Sequence, residues 1–234
     1  MNPESLLHPQ LVSVKIDQQR VAIFSDTHLR AKFEPDKFKF LQKLISEVDL
    51  VIINGDFWDY GETSFDEFVK SKWQALFPLL KEKKAIYLYG NHDLASKSDQ
   101  RVNLFSAQQG DQCHLDTRDR RFVIRHGHLL ALSGDVAHPE IFGSDRMVAL
   151  GNTINLVGVT IFGQKYLNYF AKRNKKMKQF SLSLADNEIL VCGHSHLREK
   201  NLKQKFINPG VIRWGRGQYV LIEGATVRLV DERY

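Results

Sequence analysis

Imidazole and carboxylate side chains recur in five short clusters of this sequence. They are Ser25-Asp26-Thr27-His28, Asn54-Gly55-Asp56-Phe57-Trp58-Asp59, Gly90-Asn91-His92-Asp93, His126-Gly127-His128 and Gly193-His194-Ser195-His196. The donor set is imidazole, carboxylate and one amide, with no thiolate. Such a set suits a hard to borderline divalent cation (Mn, Fe or Zn) rather than a closed structural zinc site. In Asp-x-His and His-x-His, alternation brings both side chains to the same side where a strand ends. One shared carboxylate is able to bridge two ions about 3.5–4 Å apart, the arrangement of two-metal hydrolases. Taken singly, an aspartate at a strand end is usually a turn or cap residue, and a lone histidine is usually structural. Five clusters that each close an apolar strand argue instead for one shared site.

The strands that must position them are apolar runs bounded by these clusters: Val21–Phe24, Leu50–Ile53, Ala85–Tyr89, Phe122–Ile124 and Ile189–Cys192. Helical patterns lie between the first three. Phe40, Leu41, Leu44 and Ile45 follow the helical period, and Ser64 with Glu67 forms a capping box opening a helix through Phe68, Val69, Trp73 and Leu76. Alternating strand and helix predicts an α/β protein. Gln218–Ile222 and Ala225–Val230, flanking Glu223-Gly224, predict a closing hairpin.

The chain has 234 residues, 43% hydrophobic and 26% charged, which are ordinary globular values and fit one domain over residues 1–234. Two cysteines exclude a disulfide scaffold, and Cys192, inside a strand, reads as a buried, inert thiol. No apolar run is long enough for a spanning helix. Residues Met1 to Gln10 carry no signal-peptide pattern, so the expectation is a soluble, cytoplasmic protein. The net charge is +6, and a single acid-free stretch holds Lys165, Lys172, Arg173, Lys175, Lys176 and Lys178. That stretch follows apolar Ile154, Val157, Ile161 and Phe162. Residues 140–186 therefore read as a helical, basic insertion. It is either a lid or interfacial element for an anionic partner, or a packed helix with a solvated face.

The order Asp-x-His, Gly-Asp-x-x-Asp, Gly-Asn-His-Asp, His-Gly-His and Gly-His-x-His, from Asp26 to His196 and followed by Asn208-Pro209-Gly210, resembles the calcineurin-like metallophosphoesterase superfamily. The resemblance implies a four-layer α-β-β-α sandwich and two divalent cations, Mn2+ before Fe or Zn. It implies that Asp26, His28 and His196 hold the first, that Asn91, His126 and His194 hold the second, and that Asp56 bridges them. His92 is then the acid that protonates the leaving oxygen, and Asp59 orients it. The implied reaction is hydrolysis of a phosphate monoester, diester or pyrophosphate by a metal-bridging hydroxide. Arg30 and Arg198, each two residues past a ligand, are candidate phosphate clamps or surface arginines. His128 is a candidate substrate contact or a structural residue.

The run Gly55 to Asp59, together with the basic insertion, is similar to the UDP-diacylglucosamine pyrophosphatase-like branch. That likeness implies a lipid-linked substrate at an acidic membrane surface. Members of the branch often carry Arg at the position of His92 and Asp at that of His128. Histidine at both favours general phosphomonoesterase or phosphodiesterase chemistry. A nuclease is a further alternative, since Tyr166, Tyr169 and Phe170 beside the lysines suit base stacking along a phosphate backbone. A non-catalytic binding module is the last, although such modules typically lose a ligand or the acid, and every position is filled here.

Overall fold

The computed structural model describes residues 10–132 and 171–234, with scattered positions between 153 and 165. Most of the 140–186 insertion, with Tyr166, Tyr169 and Phe170, lies outside the described residues. The elements are β1 (Leu11–Lys15), β2 (Arg20–Phe24), α1 (Pro35–Ser46), β3 (Leu50–Asn54), α2 (Phe65–Lys70), α3 (Phe77–Glu82), β4 (Ile86–Leu88), β5 (Gln108–Gly110), β6 (Gln112–Asp116), β7 (Arg121–Ile124), α4 (Ala171–Ser181), β8 (Glu188–Val191), β9 (Glu199–Asn201), β10 (Phe206–Asn208), β11 (Ile212–Arg213), β12 (Arg216–Glu223) and β13 (Thr226–Arg233).

They form two sheets. One has the order β11-β12-β2-β3-β4-β5 with β13 on β12, and the other the order β1-β6-β7-β8-β10-β9. Strands β2 to β5 run parallel in the first, and β7, β8 and β10 run parallel in the second. Parallel neighbours bring the ends of successive strands to one edge of each sheet, which is where the polar clusters follow.

The period-2 alternation of each strand sorts its side chains between two layers. Val21, Ile23, Leu50 and Ile52 share a core with Phe122, Ile124, Ile189 and Val191 of the other sheet. Their neighbours Ala22, Phe24, Val51 and Ile53 pack instead against Phe40, Leu41, Leu44 and Phe68 of the helices. On the far face of the second sheet, Val123, Leu190, Cys192 and Phe206 pack with Met177 of α4. The result is helices, sheet, sheet and helix, the expected layering. Cys192 is buried, and burial raises its thiol to about 12, in line with an inert role.

The helix expected after Ser64 is shorter than its hydrophobic period suggests. The capping box is present, with the Glu67 N–H on the Ser64 hydroxyl at 3.2 Å and the Glu67 carboxylate accepting from the Ser64 N–H at 2.8 Å. The helix stops at Ser71, whose extended backbone (ψ 171°) starts a 3-10 turn over Lys72–Leu76, and α3 follows with Pro78 in its first turn. Side-chain burial keeps its period across this break, so Trp73 and Leu76 are buried as anticipated. In the closing hairpin Glu223 pairs with Thr226, so the turn is Gly224-Ala225, one residue later than expected.

Candidate metal centre

The first two clusters are laced together by their backbones. Asp26 N–H donates to the Gly55 carbonyl (3.1 Å), His28 N–H to Asp56 (2.9 Å), Leu29 N–H to Phe57 (2.9 Å), and Asp59 N–H back to Leu29 (3.1 Å). This lacing turns Asp26, His28 and Asp56 into the left-handed region, with φ of 57°, 45° and 52°. His194 and His196 share it, at 63° and 58°. Non-glycine residues rarely adopt that region, and such positions gather at functional sites. Gly55 is needed for closeness as well as for its φ of 80°, because a Cβ there would lie 2.5 Å from His126 Nδ1.

The side chains converge in two groups that share Asp56. In the first, His196 Nε2 is 3.2 Å from Asp26 Oδ1 and 3.3 Å from His28 Nε2. In the second, Asn91 Oδ1 is 3.2 Å from His126 Nε2 and 3.0 Å from His194 Nδ1. Asp56 Oδ2 lies 3.7 Å from His28 Nε2 and 3.2 Å from His126 Nε2, while Oδ1 accepts the His92 backbone N–H at 2.8 Å. All seven side chains proposed as ligands are thus brought together, and six of them are buried.

The imidazoles are held from behind. His28 Nδ1 faces Asp59 Oδ2 at 3.2 Å, His126 Nδ1 the Asn54 carbonyl at 2.8 Å, and His194 Nε2 the Ala131 carbonyl at 2.9 Å. One nitrogen of each is anchored and the other points inward, where the neutral ring offers a lone pair, which is how metal-ligating histidines are usually oriented. Asp56 Oδ2 is buried, and its close neighbours are imidazole nitrogens, His126 Nε2 at 3.2 Å and His28 Nε2 at 3.7 Å. A carboxylate buried in this way is costly unless positive charge stands beside it. A divalent cation on either side removes that cost, so the donor set fits two such ions.

Electrostatics separate the two groups. Burial and then the Arg213 guanidinium hold His28 down to about 4. Burial also disfavours charge on His126, but the Asp56 carboxylate outweighs it and raises His126 to about 9. Asp59 is buried, which opposes ionisation, yet His92 and His28 hold it well below the usual carboxylate range. Its Oδ1 faces His92 Nδ1 at 3.1 Å. The His92 side chain is 17% exposed, on the open side of the site.

The remaining candidates stand further out. Arg30 is paired with Glu62 at 2.7 Å. Arg198 lies along β13, 3.5 Å from Asp231, with its Nη1 3.4 Å from the Leu229 carbonyl. The ring centroid of His128 is 5.5 Å from that of His126 and 6.4 Å from that of His194.

Sequence reading missed three supporting residues. Asp93 clamps two loops, accepting the N–H of Asp56 (3.0 Å), Phe57 (2.6 Å) and Gly90 (2.6 Å). Lys37 is a buried lysine whose Nζ donates to the Thr27 carbonyl between two ligands at 3.1 Å. Trp214 sets its ring 5.8 Å from His196. Asp93 was visible as the last acid of its cluster; Lys37 and Trp214 carried no local signal.

No curated protein shows significant sequence similarity to the chain. Among solved structures, a putative diadenosine tetraphosphatase is similar at 15% identity and a TM-score of 0.50, over 96% of this chain and 98% of its own. The phosphoesterase Yfce of E. coli gives 15% identity and a TM-score of 0.49, over 90% and 92%. Vacuolar protein sorting 29 of Cryptosporidium parvum gives 15% and 0.42, over 92% and 97%. The sequence profile of the calcineurin-like phosphoesterase superfamily domain matches residues 20–229, from the strand before the first cluster to the closing hairpin. The chain belongs to the calcineurin-like phosphoesterase superfamily.

Proposed function

We propose that this protein hydrolyses a phosphate ester or pyrophosphate at a centre of two divalent cations. Asp26, His28 and His196 hold one, Asn91, His126 and His194 the other, and Asp56 bridges them. The observation that carries the reading is the buried Asp56 carboxylate set between the inward nitrogens of His28 and His126. When bound, such a pair supplies activated water at neutral pH and offsets charge on the phosphoryl oxygens. Mn2+ suits the nitrogen-and-oxygen donor set best, with Fe or Zn as the alternatives.

The protein's own groups do the rest. With His92 Nδ1 turned to Asp59, proton donation to the leaving oxygen falls to Nε2. The ionised Asp59 carboxylate keeps that imidazole oriented. Asp59 also faces His28, so one buried carboxylate orients a ligand and the acid together. Arg173 of α4 is half-buried, and its charge is felt at His194, which places one cation of the basic stretch near the second group.

A lipid-linked or otherwise part-apolar substrate is the second reading. It is favoured by the exposed Ile154, Val157, Ile161 and Phe162 on the chain just before α4. Nothing in the described residues favours nucleic acid. No helix among them is long and apolar enough to cross a membrane.

Metal-reconstituted protein assayed on a monoester, a diester, a nucleotide-sugar pyrophosphate and single-stranded DNA tests both readings. We expect turnover that chelation abolishes. Asp56→Asn should lose at least about 10³-fold in kcat together with its bound metal. A variant keeping both ions and full activity would overturn the assignment.

A further inference from the structure

Helix α4 buries three residues, Asn174, Met177 and Ser181. Met177 fills the third core, as an apolar residue should. Asn174 is different: it is 1% exposed, inside a helix, where asparagine is a poor choice by propensity. Its amide makes every hydrogen bond that its heavy atoms allow. Oδ1 accepts from Ser195 Oγ at 2.6 Å and from Asn208 Nδ2 at 3.1 Å. Nδ2 donates to the Leu197 carbonyl and to Glu199, each at 3.0 Å.

Those partners surround two candidate ligands. Ser195 lies between His194 and His196, and Leu197 follows. The Asn208 amide nitrogen also lies 2.8 Å from the Gly193 carbonyl and 2.9 Å from Ser195 Oγ, so its two hydrogens are shared among three acceptors. Gly193, Ser195 and Leu197 are therefore tied to one pair of amides, while the alternate residues, the histidines, face the centre. Both histidines sit at positive φ, a conformation that persists only where its surroundings over-determine it. Here Asn174 and Asn208 act together with the Asp26 carboxylate, which accepts the His194 N–H, and the His126 carbonyl, which accepts the Gly193 N–H.

We propose that Asn174 is a positioning residue through which the basic helix holds His194 and His196 in metal-binding geometry. The inference rests on the reading of those histidines as ligands. It goes beyond that reading because the two belong to different groups, His196 with Asp26 and His28, His194 with Asn91 and His126. One amide outside the five clusters thus governs both cation sites, and the helix carrying the exposed Lys172, Lys175 and Lys176 is mechanically part of the centre.

The test is calorimetric titration of Mn2+ into the chelator-stripped full chain. Asn174→Leu, close in size, removes all four bonds and should weaken binding at least tenfold at both sites. Ser195→Ala cuts the same contact from the loop side, leaves the helix core intact and should weaken both sites in the same direction, so the test survives a failure of Asn174→Leu to fold. Ser181→Ala is the control. It removes a hydroxyl that donates to the Gln204 carbonyl at 2.5 Å and so loosens the same helix away from the loop. It should lower the melting temperature of the metal-free protein yet keep Mn2+ affinity within twofold. Parental affinity in both loop-contact variants, or an equal loss in Ser181→Ala, overturns the inference alone. A parent chain that takes up no Mn2+ overturns the ligand reading and this inference together.

Discussion

The two halves of the metal centre are built from the same residue types but held by different means. Asp26, His28 and Asp56 stand on loops laced by main-chain bonds between neighbouring parallel strands. His194 and His196 stand on a loop with one internal main-chain bond, Ser195 N–H to the Gly193 carbonyl at 2.7 Å, and one to a neighbouring strand end, Gly193 N–H to the His126 carbonyl at 2.9 Å; the rest of its support comes from side chains. Those side chains are Asn174, Asn208 and the Asp26 carboxylate, which accepts the His194 N–H at 3.1 Å. Main-chain bonds survive most substitutions, whereas side-chain bonds are lost with one. The half laced by its backbone also carries the proton-donor chain His28–Asp59–His92 and opens toward solvent. On the other loop, His194 is anchored behind its imidazole by the Ala131 carbonyl.

The largest effect expected from breaking this contrast is at His92. His92→Ala should cost about 10²–10⁴-fold in kcat on an alkyl phosphate, the usual worth of a general acid. On p-nitrophenyl phosphate, whose leaving group needs little protonation, the loss should be much smaller. Equal losses on the two substrates would remove the proton-donor role and with it the functional asymmetry of the halves.

A smaller effect separates the two ways of holding a loop. Thr27 Oγ1 donates to the Phe57 carbonyl at 2.6 Å, alongside the main-chain lacing. Thr27→Val removes that bond but no lacing, and should cost about 1 kcal/mol of stability with little change in Mn2+ affinity. Ser195→Ala, deleting one hydroxyl from the other loop, should reduce affinity several-fold. Similar affinities for the two variants would show that both loops are equally robust.

The smallest effect is in proton linkage. His126 faces Asp56, Asp26 and the Asn54 carbonyl, and in the metal-free protein it stays charged up to about pH 9. Its folded value lies above the ordinary 6.5, so its contribution to metal-free stability is complete below pH 6.5 and is lost as pH rises through about 9. Cation binding requires the neutral ring. Uptake at pH 7.5 should therefore release about one proton from this half, falling toward none above pH 9. His28, held to about 4, is already neutral and should release none. Calorimetry in two buffers of different ionisation enthalpy counts the protons; zero release at pH 7.5 would contradict the electrostatic difference between the halves.

Most of the centre was legible along the chain, because each cluster directly follows an apolar strand and parallel pairing carries strand ends to a common edge. Asp26, His28, Asp56, Asn91, His126, His194 and His196 all belong to such clusters, and the layered α/β fold follows from the same alternation. The short strands β5, β9 and β11 left no periodic signal, being two or three residues long. The break at Ser71 was hidden because burial keeps the helical period across it.

Local sequence by itself determined the types of the candidate ligands, their order and the strands that carry them, since hydrophobic periodicity and strand-end chemistry act over a few residues. Only the tertiary structure decided which nitrogen of each histidine points inward, that Asp59 serves His28 and His92 at once, and that Asn174 of a basic helix braces a loop some twenty residues away. These depend on contacts between segments far apart in the chain, such as Asn54 with His126 and Asn91 with His194. No local pattern encodes such contacts, because the energy of a hydrogen bond resides in the pair and the pair exists only once both sheets have packed.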